Sequence, residues 1–345
     1  MKTNSLSLTM FLALGVTAAG CAASTPDGDD DGMGSGSGSG SGSDTTPLTA
    51  EGKYAVTSQF DIATNMPGTA GQVINQIIDA TDSPDDPTHW ILDQLVAQLP
   101  AGSFKNTVQS AIPFVAGYLN DRLLDVAPDF VVTLRDLGNK FGQVARHFGT
   151  LETLEVDANG QATKTVTGVH FVVDQLELDY LFKDYAVQDI AVAGVAVGLE
   201  QSGRLSIGEH KVPLAYGKVM RIALDEMVIP LIDPSAVTLE DVLKDVVNCH
   251  AVGQYVYEAV GIGSASTFET ACLGGLKAGA NAIYAQMTKV DSVALEFGLT
   301  GLAKGVDKNH DGKIDQIQTG AWAGTLAYGG AGAPLAAATF SGQRM

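Results

Sequence analysis

The chain has 345 residues, with 39 acidic against 20 basic side chains and a formal net charge of −19. A surface with that excess repels phosphate backbones, so composition argues against nucleic acid as a partner. The length permits a sizeable core in one or two domains.

Residues 1–20 carry Lys2, an apolar run from Leu6 to Val16, and the small residues Thr17-Ala18-Ala19-Gly20 ahead of Cys21. This reads as a secretory signal, too short for a membrane span. Residues 21–50 read as a tether. Asp27, Asp29, Asp30 and Asp31 flank Gly28, and a Gly/Ser repeat runs from Gly34 to Ser43. Such a segment has too little apolar surface to order itself. As a flexible chain it reaches some 30 Å, at roughly 5–6 Å × √n.

The small residues ending in Gly-Cys resemble the lipobox of bacterial lipoproteins, with Ala18 where Leu is commoner. The resemblance implies that Cys21 is diacylated, becomes the mature N-terminus and anchors the protein to a membrane. A plain signal-peptidase site nearby is the alternative. Together with the acidic Gly/Ser tether, the pattern resembles the cell-envelope lipoproteins of myxobacterial-type Gram-negative bacteria. That implies an outer-membrane address, with the periplasmic or the outer face left open. The resemblance covers about the first 50 residues and carries no activity.

Residues 51–345 read as one α+β domain, an antiparallel sheet or partial β-barrel with helical insertions. Tyr54, Val56, Phe60 and Ile62 share one face of a first strand, with Thr57 and Gln59 opposite. A helical block follows over about 68–148. One helix covers Gly68 to Ala80, and a second starts at Asp86-Pro87 and stops at Pro100. Helical period then continues from Ser103 to Phe148, with Leu123, Ala127, Phe130, Leu134 and Leu137 as its stripe, interrupted at Pro113 and Pro128. The apolar stretch Ala111–Val115 admits two readings, an ordinary core or a cavity for a lipid or another apolar ligand. Asp85, Asp86 and His89 read as helix-start capping residues.

The stretch at about 151–214 is β-rich. Asp157-Ala158-Asn159-Gly160 is a hairpin turn before the run Val166–Val173. Leu176, Leu178 and Tyr180 alternate, and Ile190–Leu199 pairs with Leu205–Ile207 across Ser202-Gly203. Glu209-His210-Lys211 reads as a solvated turn. Helix returns over about 216–289, first from Tyr216 to Val228, then as a hairpin whose two helices start at capping boxes opened by Thr238 and Ser266. With Cys21 assigned to the signal, Cys249 and Cys272 are an even remainder. In an exported chain that argues for a disulfide, two buried thiols being the alternative.

A hairpin over about 293–328 closes the chain, with Val293, Leu295, Phe297 and Leu299 alternating before its loop and Trp322, Gly324, Leu326 and Tyr328 after it. The loop is Asp307-Lys308-Asn309-His310-Asp311-Gly312-Lys313-Ile314-Asp315. Calcium takes six to eight oxygens, and this spacing offers Asp307, Asn309 and Asp311 at alternate positions, the Lys313 carbonyl, and Asp315. Gly312 falls where the turn asks for positive φ. Gln318 stands where an EF-hand has its bidentate Glu, so the loop resembles the calcium loops of extracellular repeats, with a structural role. An Asx-rich turn without metal is the alternative. No two-His metal spacing, Gly-x-Ser-x-Gly elbow, Walker loop or dinucleotide fingerprint is present in the sequence. The reading is a non-catalytic binding or structural module, with an apolar-ligand carrier as the alternative.

Overall fold

The structure, a computed structural model, describes residues 47–68, 95–111, 122 and 128–345. Ten strands form one antiparallel sheet: β1 (Gly52–Phe60), β2 (Phe148–Val156), β3 (Gln161–Val173), β4 (Leu176–Leu181), β5 (Ile190–Leu199), β6 (Arg204–Leu214), β7 (Leu295–Val306), β8 (Gln316–Tyr328), β9 (Ala331–Pro334) and β10 (Ala338–Arg344). The order β10-β1-β2-β3-β5-β6-β7-β8 returns on itself because β10 also pairs with β8. The expected partial barrel is thus a closed, eight-stranded one, with β4 and β9 as outer additions. Closure leaves these eight strands without a free edge.

Period-two patterning fixes which side chains go in. On β2, Thr150, Glu152, Leu154 and Val156 are buried while Glu155 is exposed; on β8, Trp322 and Leu326 are buried while Ala321, Ala323 and Thr325 face out. Most inward side chains are apolar, with Ser58, Thr150, Glu152, Lys164 and His210 as the polar exceptions. The helices expected at 68–80 and 86–99, the Asp85, Asp86 and His89 cluster, Pro113, and the stripe residues Leu123 and Ala127 lie wholly or largely outside the described residues. Described parts are helical at 95–98 and 103–111. Pro128 opens the helix Pro128–Arg146, in which Leu137 is 5% exposed.

Helical period was expected through Phe148, but the helix ends at Arg146 and Phe148 already belongs to β2. The ring decides this. It lies opposite Phe60 and Phe171 in the sheet register and 6.3 Å from Phe297, centroid to centroid. Phe60 sits 5.0 Å from Phe297 in the same cluster. These rings fill the end of the barrel to which the helices attach through Leu214 and Tyr216. At the next layer, Gly301 lies opposite Trp322, and a Cβ there would stand 2.6 Å from the indole. Only a residue without Cβ leaves room for that ring.

Tyr216–Ile222 continues through a π-helical turn, Ala223–Val228, into Ile229–Ile232. The cysteine region holds three helices where a two-helix hairpin was expected: Leu239–Val246, Cys249–Val260 and Ala265–Val290. Thr238 does form its capping box with Asp241. Asn248 opens a separate helix by accepting from the Ala251 amide, so the first helix does not run on to Cys249. The last helix is capped by Ser264, two residues ahead of the expected Ser266, because Gly263 (φ 83°) delivers the chain with Ser264 extended and its hydroxyl accepting from the Thr267 amide. Cys249 and Cys272 are disulfide-bonded, with Sγ–Sγ 2.04 Å and Cα–Cα 5.6 Å.

Candidate functional site

Two polar constellations lie on the barrel, one across an end and one inside. The first is the loop joining β7 to β8. His310 (φ 61°) and Gly312 (φ 81°) are both left-handed and curl the backbone, while Ile314, 0% exposed, anchors it over Gly305. The Asx side chains then cap the loop's own amides. Asp307 accepts from His310 N–H at 2.7 Å and from Gly312 N–H at 2.9 Å. Asn309 accepts from Asp311 N–H at 3.1 Å, Asp311 from Lys313 N–H at 2.8 Å, and Asp315 from Lys308 N–H at 2.8 Å. The Lys313 amide first, then the Asn309 side chain and Arg344, hold the Asp311 carboxyl below the usual range.

This loop also holds Thr49, ahead of β1. Thr49 N–H donates to the Gly312 carbonyl at 2.8 Å and its own carbonyl accepts from Ile314 N–H at 3.1 Å. The Tyr54 hydroxyl, its pKa pushed up to about 12 by burial, has its single hydrogen within reach of the Ala50 carbonyl (2.9 Å) and the Ile314 carbonyl (3.3 Å). Leu48 to Ala50, expected in the tether, are therefore part of the body. Arg344 at the other terminus donates to the Glu51 carbonyl and takes the Asp315 carbonyl with its amide.

Three carboxylates, one amide oxygen and the Lys313 carbonyl are hard donors of the kind calcium takes. Their arrangement is that of a hydrogen-bonded Asx loop. Among the described residues, no three His, Cys, Asp or Glu side chains converge on a metal position. Cys21, the residue singled out for lipidation, lies outside the described residues.

The second constellation is inside the barrel. Lys164 of β3 forms an ion pair with Glu152 of β2 at 3.1 Å, and the Thr150 hydroxyl donates to the other carboxylate oxygen at 2.6 Å. The Lys164 ammonium also lies 4.3 Å from the centre of the Trp322 ring, whose indole N–H donates to Ser58 at 3.0 Å. Phe340 stacks on that indole at 4.1 Å and His210 meets it edge-on at 5.6 Å. All these polar side chains are at most 6% exposed. Burial drives the Lys164 ammonium below its ordinary pKa, against the raising effect of Glu152. Burial, then the nearby Lys164 charge, lowers His210 as well. His210 Nδ1 lies 2.9 Å from the Gly208 carbonyl, an acceptor only, so Nδ1 carries the hydrogen and the neutral ring presents Nε2 as an acceptor.

The solvated turn expected at 209–211 is corrected by this arrangement. Strict alternation from Leu205 and Ile207 puts His210 outside. A bulge between Ile207 and His210 sets three residues of β6 against two of β7 and rephases the strand, turning His210 inward. For the other members a sequence signal existed. Ser58 stands between Val56 and Phe60, Glu152 between Thr150 and Leu154, and Lys164 between Ala162 and Val166, each on its strand's apolar phase. No family model, curated protein or solved structure matches the chain.

Proposed function

We propose that the protein is a lipid-anchored lipoprotein of the cell envelope, a non-catalytic binding or structural module whose barrel is stabilised by calcium at the 307–315 loop. In this reading Cys21 carries the acyl chains, the outer membrane receives them, and an envelope protein is the partner. The observation that supports it is the loop's set of hard oxygen donors, held by a backbone that pairs with Thr49 through Gly312 and Ile314. A cation there would draw the free lone pairs of Asp307, Asn309, Asp311 and Asp315 and the Lys313 carbonyl to one centre.

The test is thermal unfolding of the full chain with calcium and with chelator. Binding to the folded state alone contributes about 1.4 kcal/mol at tenfold excess over Kd, read as a raised Tm. Asp307→Ala and Asp311→Ala remove that increment. An unchanged wild-type Tm leaves the loop a plain Asx turn. Incorporation of labelled fatty acid, lost in Cys21→Ser, tests the anchor independently.

The second reading is a carrier of a lipid or another apolar ligand. An eight-stranded barrel is wide enough for side chains or for one small ligand. Here Tyr54, Phe60, Phe148, Phe297 and Trp322 occupy the interior, so this reading needs a site outside the barrel. Uptake of a fluorescent lipid by the full chain separates the two readings.

A further inference from the structure

The two strands outside the closed barrel, β4 and β9, each pair along one edge only. β9 is four residues long and ends in Pro334, which has no N–H and whose carbonyl already accepts from Asn65 Nδ2 at 3.0 Å. β4 differs. Its six residues, Leu176-Glu177-Leu178-Asp179-Tyr180-Leu181, include no proline, and none of them is buried. Val173 and Leu176 flank a two-residue turn and stand opposite one another, so the residues hydrogen-bonded to β3 are Leu176, Leu178 and Tyr180. The N–H and C=O groups of Glu177, Asp179 and Leu181 therefore point away from β3. Leu181 shows the close approach of such a pair, since a Cβ on Gly168 opposite would stand 3.1 Å from its Cα. Among the described residues, no other strand pairs with this edge.

Side chains alternate along the same edge. Glu177 and Asp179 are exposed on one face, Asp179 being held by His170 at 2.7 Å. On the other face Leu176 is 41% exposed and Leu178 is half-buried. A second copy of β4 is a poor partner, because it sets carboxylates against carboxylates in a chain of net charge −19. We propose that the free edge of β4 is a strand-addition site for an extended, basic segment of a partner protein. The segment exchanges backbone hydrogen bonds with Glu177, Asp179 and Leu181. It sets Lys or Arg beside Glu177 and Asp179, and apolar residues beside Leu176 and Leu178. Backbone pairing supplies the affinity and the alternation of side chains the specificity. The proposal rests on the binding-module reading, and is independent of the calcium loop and of Cys21.

The test is fluorescence anisotropy of a labelled decapeptide alternating lysine with valine and threonine, titrated with the full chain. A peptide with glutamate in place of lysine is the control. The lysine peptide is expected to bind and the glutamate peptide is not. Glu177→Gln removes one charge pair and weakens binding about two- to fivefold. Glu177→Pro also removes an outward N–H and weakens it about tenfold or more, while the ladder with β3 keeps its bonds. No binding of the lysine peptide, equal binding of both peptides, or equal affinity in wild type and both variants overturns the proposal. Should Glu177→Pro fail to fold, amide hydrogen exchange of the wild-type chain decides. Protection of the Glu177, Asp179 and Leu181 amides by the lysine peptide supports the edge. Protection of those amides by protein concentration alone makes a second copy the occupant and overturns it. A peptide that binds and leaves the three amides unprotected overturns the edge while the binding-module reading stands.

Discussion

The loop at 307–315 and the polar layer inside the barrel both gather carboxylates, yet they are assembled in opposite ways. In the loop every Asx side chain bonds an amide at most seven residues away, and most of its polar groups are open to water. In the layer, Ser58 and Trp322 bond across 264 residues of sequence and the partners are shut off from solvent. Screening and side-chain freedom make the exposed charges individually weak. Inside, desolvation makes each charge depend on its partner. The two regions should respond very differently to the removal of one group.

The largest effect is expected inside. Lys164→Met leaves Glu152 buried and unpaired, which costs about 3–5 kcal/mol. Replacing both, Glu152→Leu with Lys164→Met, should recover most of that loss, since an apolar pair of similar volume is often as stable as the buried ion pair. Urea midpoints of the two single variants and the double give the coupling. Equal, additive losses would show that the pair does not act as a unit. Reduction of Cys249–Cys272 comes next, on the order of 3 kcal/mol in the chain-entropy model for a loop of this size. A urea midpoint unmoved by reductant contradicts it. Chelation at the loop is third, the roughly 1.4 kcal/mol increment described above.

The same contrast explains what the sequence made legible. Asp307 to Asp315 form a dense local pattern, because the groups that cap one another are neighbours in the chain. The Cys249–Cys272 pair followed from the count of cysteines. The pairing of β1 with β10 joins residues nearly 300 apart, which no local pattern states. The polar layer was harder to see. Ser58, Glu152 and Lys164 sit on inward phases and were detectable as polar residues in apolar registers. Nothing in a single strand states that Ser58 of β1 and Lys164 of β3 meet one indole from β8, with Glu152 of β2 paired to the lysine. His210 was hidden by the bulge, which changes the phase that alternation assumes. Phe148 was hidden by its neighbours, since the helical period of 128–146 runs up to it without a break.

The smallest expected effect is a pH dependence that belongs to the interior alone. His210 has a folded pKa below its ordinary 6.5, from burial and from the nearby Lys164 charge. The groups facing it are Lys164 of β3 and Glu152 of β2, with Trp322 of β8 against its edge. Between 6.5 and the lower folded value, the unfolded chain takes up the proton and the folded chain does not. Stability therefore rises with pH across that window and is lost as pH falls through it. Lys164 is also lowered, so its own window opens downward from 10.5. The loop carboxylate Asp311 is lowered from 3.8, which confines its contribution to still more acid conditions. His210→Gln keeps a polar group against Gly208 and removes the titration. Unfolding free energy measured at a series of pH values should show a smaller slope just below 6.5 in that variant than in wild type. A slope that persists unchanged would place the titrating group elsewhere.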